Sequence, residues 1–156
     1  MKQNQTQKLP LIGWREILHL PDLNISNIKA KIDTGARSSA LHAFDLHFFE
    51  RDSTKMVRFK VHPYQKNSHT TVATEAILLE HRQVRNSGGH AQIRPVIKTM
   101  VHLGEFSWPI ELTLTNRDVM GFRMLLGRQA VSKRFLVHAG HSFIQSYSQW
   151  KGDGKQ

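Results

Sequence analysis

The sequence predicts an all-β domain, a small barrel assembled from hairpins, with a single short helix near its C-terminal end. Three observations carry that expectation. Apolar residues recur with a period of two through most of the chain, as they do in strands with one buried face. Gly104-Glu105 separates two long alternating runs, the spacing of a two-residue hairpin. Helical patterning is confined to residues 127–134, two turns at most.

In chain order, short strands are expected at 11–20, 28–32 and 40–44. Val57, Phe59 and Val61 alternate with Arg58, Lys60 and His62, the pattern of a half-buried strand. Another strand is expected at 72–79. Ile93, Ile97, Thr99, Val101 and Leu103 mark one face of a long strand, and Phe106, Trp108, Ile110, Leu112 and Leu114 one face of its return. Gly104 suits the first central position of a type II′ turn, which demands positive φ. Pro95 and Pro109 lack an amide donor, so their strands should have open edges or bulges. Asn86-Ser87-Gly88-Gly89-His90 lies between two strand-like segments and reads as a hairpin tip. Met124-Leu125-Leu126-Gly127-Arg128 reads as an apolar strand entering the helix. No repeat or linker divides the chain. One domain is expected over residues 11–146, between flexible ends at 1–10 and 147–156 that are rich in Gln, Lys, Ser and Gly.

The composition narrows the function classes. A chain of 156 residues with 39% hydrophobic and 22% charged residues is globular and long enough to bury a core. No apolar run approaches a membrane span, and residues 1–8 are polar, so the expected location is cytoplasmic. There is no cysteine, which excludes disulfides, thiolate nucleophiles and cysteine-based zinc sites. The formal net charge of +10 attracts polyanions. The basic residues are spread along the chain instead of gathered in a tail or stripe, which argues for a solvated surface and against a dedicated nucleic-acid site.

The chemistry concentrates in Ala30-Lys31-Ile32-Asp33-Thr34-Gly35-Ala36, where a strand-like run ends in Asp-Thr-Gly-Ala. Taken alone, Asp-Thr-Gly is also ordinary turn chemistry. It is equally the way an aspartic peptidase presents its catalytic carboxylate. Asp33 at a strand end points into a cleft, Thr34 can brace a symmetric partner loop, and Gly35 permits close backbone approach. Two such carboxylates about 3 Å apart repel by roughly 5 kcal/mol at an effective dielectric near 20, so they share one proton. One becomes the base that activates water and the other the acid that polarises the carbonyl. Asp-Thr-Gly occurs once in this chain, so the expected arrangement is a homodimer.

The order of Asp-Thr-Gly-Ala loop, glycine hairpin tip, long hairpin, Leu-Leu-Gly-Arg and short helix resembles the retropepsin-like half-barrel of aspartic peptidases. That resemblance implies catalytic residues Asp33, Thr34 and Gly35, and a substrate surface of Ala36, Arg37, Ser87, Gly88 and Gly89 with the hairpin tip as flap. It also implies a last strand near Phe143-Ile144, and an insertion between Ala43 and the flap. The retroviral pattern usually has an Asp after Asp-Thr-Gly-Ala that pairs with the downstream Arg. Here that position is Arg37, which adds positive charge near the cleft and suits an acidic peptide or protein substrate, and Arg128 must find another partner or none.

A closer resemblance rests on longer blocks: Ile12-Gly13-Trp14-Arg15-Glu16, residues 28–43, Arg94-Pro95-Val96-Ile97, residues 108–118 and residues 120–128. These are similar to the bacterial family named ATP-dependent zinc proteases, whose members are often associated with ATP-grasp ligases that add glutamate to proteins, a ribosomal protein among them. The resemblance implies a peptidase acting on, or counterbalancing, such modification, functionally linked to a glutamate ligase. Neither half of the family's name has support in the residues. The chain lacks a Gly-x-x-x-x-Gly-Lys-Ser/Thr phosphate loop. It also lacks His-Glu-x-x-His, and its ten histidines show no zinc-ligand spacing. No metal and no cofactor are expected.

Two alternatives stay open. Asp118 or Glu111 could supply the second carboxylate within one chain. A barrel of this kind could also be a non-catalytic module that recognises acidic peptides or RNA through its charge.

Overall fold

The computed structural model describes residues 8–64, 69–85, 88–117 and 121–153. Chain order begins with β1 (Leu11–Gly13), β2 (Arg15–Leu20), a 3-10 turn at Pro21–Leu23, β3 (Ile25–Asp33) and β4 (Ser39–His42). It continues through β5 (Phe44–Arg51), β6 (Thr54–Val61), β7 (Val72–Arg85), β8 (Ala91–Leu103) and β9 (Phe106–Thr115). β10 (Met124–Gly127), α1 (Arg128–Val131), β11 (Leu136–His138) and α2 (Tyr147–Asp153) complete it.

Six strands close into a barrel in the order β2-β3-β10-β4-β9-β8, sealed where His19 of β2 meets His102 of β8. Closure removes the sheet edges that an open all-β domain would expose. The alternation read from the sequence builds the interior. Leu18, Leu20, Ile28, Leu41, Ile97, Val101, Leu103, Leu112 and Leu114 are all buried in it. The insertion between Ala43 and the flap is the β5–β6 hairpin, which pairs onto β7 and extends the sheet outward from β8. Val57, Phe59 and Val61 of β6 are fully buried, and Arg58 and Lys60 point to solvent.

The hairpin at Gly104-Glu105 joins Leu103 and Phe106 as paired residues. Gly104 has φ of +59°, and Glu105 is not among the residues with positive φ, which is the type II′ pattern. Both prolines lie where their strands pair on one side only. β8 contacts β9 from Val96 onward, leaving Pro95 paired to β7 alone beside a bulge at Leu78/Glu80. β9 meets β4 from Leu112 onward, leaving Pro109 paired to β8 alone. A missing amide is tolerated at such edges.

The structure departs from the sequence reading in three places. Residues 11–20 are two strands, because the chain breaks at Trp14 and β1 joins β11 in a separate parallel pair. The last strand is Leu136–His138, and Phe143-Ile144 is irregular, with Phe143 at φ of +57°. The segment read as a frayed tail forms α2, held by Trp150 stacking on Phe143 at 5.5 Å. Gln, Lys, Ser and Gly dominate that composition and mask one aromatic contact.

A buried carboxylate organises this C-terminal segment. Glu16 is fully buried and accepts hydrogen bonds from the amides of Gly13 (2.6 Å), Ile144 (2.9 Å), Gln145 (3.2 Å) and Ser146 (3.0 Å). The Ser146 hydroxyl adds another at 2.7 Å. Among the described residues no cation pairs with it, so its charge is met by backbone dipoles. Glu16 thereby ties the chain beyond β11 to the β1–β2 corner.

Candidate active site

Asp33 is the last residue of β3, half-buried, where the strand turns into the loop. Its Oδ1 accepts the Gly35 amide at 2.9 Å, and its carbonyl accepts the Ala36 amide at 3.2 Å, so the loop folds tightly on the carboxylate. β10 runs parallel to β3 with Gly127 opposite Asp33, so the chain leaves both strands side by side.

The short helix clamps this loop. The amides of Arg128 and Gln129 at its start donate to the carbonyls of Ala36 (2.7 Å) and Arg37 (3.1 Å). A helix start has amides without intrahelical partners, and the loop supplies the acceptors. Arg128 Nη1 donates to the Thr34 carbonyl at 3.0 Å. The arginine that loses its retroviral-type Asp partner to Arg37 is therefore used to hold the Asp-Thr-Gly backbone. Ser39 completes the clamp, its Oγ accepting the Gly127 amide at 3.0 Å in the interior. Gly127 is required by this crowding: a Cβ there would lie 2.5 Å from the Ser38 carbonyl oxygen.

Asp33 opens on a cavity of about 1140 Å³ between the loop and the β7–β8 ribbon. The structure brings Asp33, Gly35, Ala36, Arg37 and Gly88 together in its wall; Thr34 and Gly89 are outside that wall. Thr34 is exposed on the single chain, where it is accessible to a second copy. Gly89 stays at the hairpin tip, its carbonyl accepting from Arg85 Nη1 at 2.9 Å. Ser87 and Asp118 lie outside the described residues. Among those residues, no group of three or more His, Asp or Glu side chains is placed to hold a metal ion.

The sequence reading placed Arg37 at the substrate surface and left the rest of this cavity's charge diffuse along the chain. Arg37, Arg82, Arg85, Arg94, Arg117 and Arg128 line it, opposed by Asp33 and Glu111. Positive charge that is diffuse along the chain is thus concentrated in space. Arg82 is neutralised, bridging Glu80 at 2.5 Å and Glu111 at 2.8 Å, and these hydrogen bonds raise its pKa above the ordinary arginine value. Glu111, the in-chain candidate for a second carboxylate, is therefore held in an ion pair. Arg94 is half-buried and is pushed below the ordinary value, chiefly by burial and then by the Arg117 charge. Arg82 and Arg94 pair directly across the β7–β8 ribbon, a register that period two alone does not give.

A closed all-β half-barrel with one Asp-Thr-Gly loop clamped by a Gly-Arg helix defines a retropepsin-like domain of aspartic-peptidase type. The chain belongs to the RimB-like family, described as retropepsin-like aspartic endopeptidase RimB, which it matches over residues 11–148. It is also similar to longer proteins named probable alpha-L-glutamate ligase. One from Parasynechococcus marenigrum is 48% identical over 132 residues, covering 85% of this chain and 28% of that protein. Another from Desulfotalea psychrophila is 42% identical, covering 88% of this chain and 29% of that protein. The chain thus spans less than a third of the length of these relatives. A crystal structure of the protein Lpg0085, of unknown function, from Legionella pneumophila is 27% identical with a TM-score of 0.71, covering 87% of this chain and 98% of that one. Among the described residues, no helix is long and apolar enough to cross a membrane.

Proposed function

We propose that this protein is an aspartic-type peptidase that hydrolyses Glu-rich peptide segments, using a dyad formed by the Asp33 side chains of two copies. The observation that carries the reading is the state of the two carboxylates that line the cavity among the described residues. Asp33 is presented to the cavity by a loop held from three sides, and Glu111 in the same cavity wall is occupied by Arg82. A two-carboxylate reaction then takes its second group from a second chain. Thr34 of each loop, exposed on the single chain, would brace that contact.

In the dyad one Asp33 is ionised and the other protonated, because adjacent like charges disfavour double ionisation. The ionised carboxylate takes a proton from water as the water oxygen bonds to the scissile carbonyl carbon. The protonated one donates to the carbonyl oxygen. In the collapse of the tetrahedral diol the C–N bond breaks, the carboxyl that holds the water's proton passes it to the leaving nitrogen, and the other carboxylate takes a diol hydroxyl proton, which restores the singly protonated dyad. No covalent enzyme intermediate forms.

The arginine-lined cavity supports an acidic substrate, since opposite charge raises both encounter rate and local concentration. The names of the longer relatives support a functional link to glutamate ligation, with the peptidase acting on the tails that a ligase builds.

The test combines assembly and chemistry. Light scattering over a concentration series should find a dimer, and the Asp33→Asn variant should bind Glu-rich peptides without cleaving them. A strict monomer that hydrolyses peptides would overturn the shared dyad. Binding without cleavage by the wild type as well would leave a binding module.

A further inference from the structure

Arg94 stands apart from the other cavity arginines. It lies on β8 immediately before Pro95, directly across the ribbon from Arg82. Arg82 has two carboxylates; Arg94 has none among the described residues. Its Nε donates to Gln92 Oε1 at 2.9 Å and its Nη1 approaches Thr113 Oγ1 at 3.4 Å, both neutral oxygens. Arg117, exposed just past β9, adds a second positive charge close enough to depress the pKa of Arg94. A guanidinium carries five N–H donors and stays ionised at any ordinary pH, so these contacts leave donors for a further acceptor. Two adjacent cations, one half-buried, are stabilised when an anion joins them. The planar fork of arginine fits a carboxylate in bidentate fashion.

Arg94 is linked through Thr113 to the strands that carry the Asp33 loop. Thr113, which is buried, donates its hydroxyl proton to the Ser39 carbonyl at 2.8 Å, and Ser39 Oγ receives the Gly127 amide opposite Asp33. The guanidinium is therefore connected to the Asp33 loop through β9, β4 and β10. A group bound at Arg94 has a set position relative to the reacting carboxylate.

We propose that Arg94, assisted by Arg117, is the specificity-determining pair of this cleft, binding one carboxylate of the substrate and setting which peptide bond lies over Asp33. The proposal rests on the peptidase reading for its kinetic consequence. The carboxylate is either a Glu side chain or the terminal carboxylate of a tail.

The experiment uses the full chain and a set of synthetic octapeptides: one Glu-rich, variants with a single Glu replaced by Gln at each position, and one with a C-terminal amide. For wild type, one member of the set should lose about tenfold or more in kcat/KM, the scale of a lost charge-assisted hydrogen bond. Loss at an internal Gln identifies the side chain as the source; loss at the amide identifies the terminus. In Arg94→Gln the same discrimination should shrink to within about twofold, with Arg94→Lys intermediate because it keeps charge without the fork. Undiminished discrimination in Arg94→Gln overturns the proposal, as does an equal loss on every peptide, which would mark a merely structural role. Should Arg94→Gln fold poorly by circular dichroism, Arg117→Gln, at an exposed position just past β9, gives the same reading with a smaller effect. If wild type cleaves none of the peptides, the peptidase reading fails and titration calorimetry on the same set decides this one. A Glu-over-Gln affinity ratio that collapses in Arg94→Gln supports it, and equal wild-type affinity for all peptides overturns it.

Discussion

Replacing Gly127 with Ala should damage the candidate site from behind while leaving every side chain in it unchanged. The added Cβ would lie 2.5 Å from the Ser38 carbonyl oxygen, 2.6 Å from its carbon and 3.0 Å from the Ala36 carbonyl oxygen. Real Cβ atoms keep beyond 3.0 Å, so the loop backbone must retreat by at least about 0.5 Å. None of the atoms met is the end of a flexible side chain, so the strain has no soft outlet. Overpacking of this kind costs about 1–3 kcal/mol. Retreat also stretches the bonds from the Arg128 and Gln129 amides to the loop carbonyls, each worth about 1 kcal/mol. The expected loss is roughly 2–4 kcal/mol, or about 5–15 °C in Tm for a domain of this size. A misplacement near 1 Å at a reacting group reduces rate about 100-fold, so half of that should lower kcat by roughly tenfold. Thermal melts followed by circular dichroism, with peptide hydrolysis on the same samples, check both. A variant melting within about 2 °C of wild type with kcat within about twofold would refute the clamp.

Two further outcomes follow from the structure. Glu16→Gln should lower stability by about 2–4 kcal/mol in urea unfolding, because an amide NH₂ would face backbone donors that now meet a carboxylate. The same variant should loosen α2 and unstack Trp150 from Phe143, read as a change in tryptophan emission; an unchanged unfolding midpoint would show that backbone dipoles do not hold that charge. Dialysis against a strong chelator should leave the melting curve and any hydrolysis unchanged, and stoichiometric zinc lost together with activity would contradict the expectation of a metal-free reaction.

Much of the barrel was legible in the chain, because its cues are local. The alternation through Val57–Val61 and Phe106–Leu114, the type II′ turn at Gly104 and the Asp-Thr-Gly-Ala loop each depend on neighbours within a few residues. Where the reading failed, a distant contact had overruled composition. Residues 147–153 form α2 because Trp150 reaches Phe143, and residues 11–13 leave the barrel to pair with Leu136–His138.

The fold class and the position of Asp33 at the end of a strand follow from local pattern, since period and turn chemistry are written in adjacent residues. The character of the cavity emerges with the folded barrel. Arg37, Arg82, Arg94, Arg117 and Arg128 come from separate segments and look diffuse along the chain. Barrel closure and strand register carry them to one wall, where Glu111 is spent on Arg82 and Arg94 has no carboxylate among the described residues. Pairing register is a long-range property, fixed by which faces the whole barrel must bury, and no local pattern encodes it.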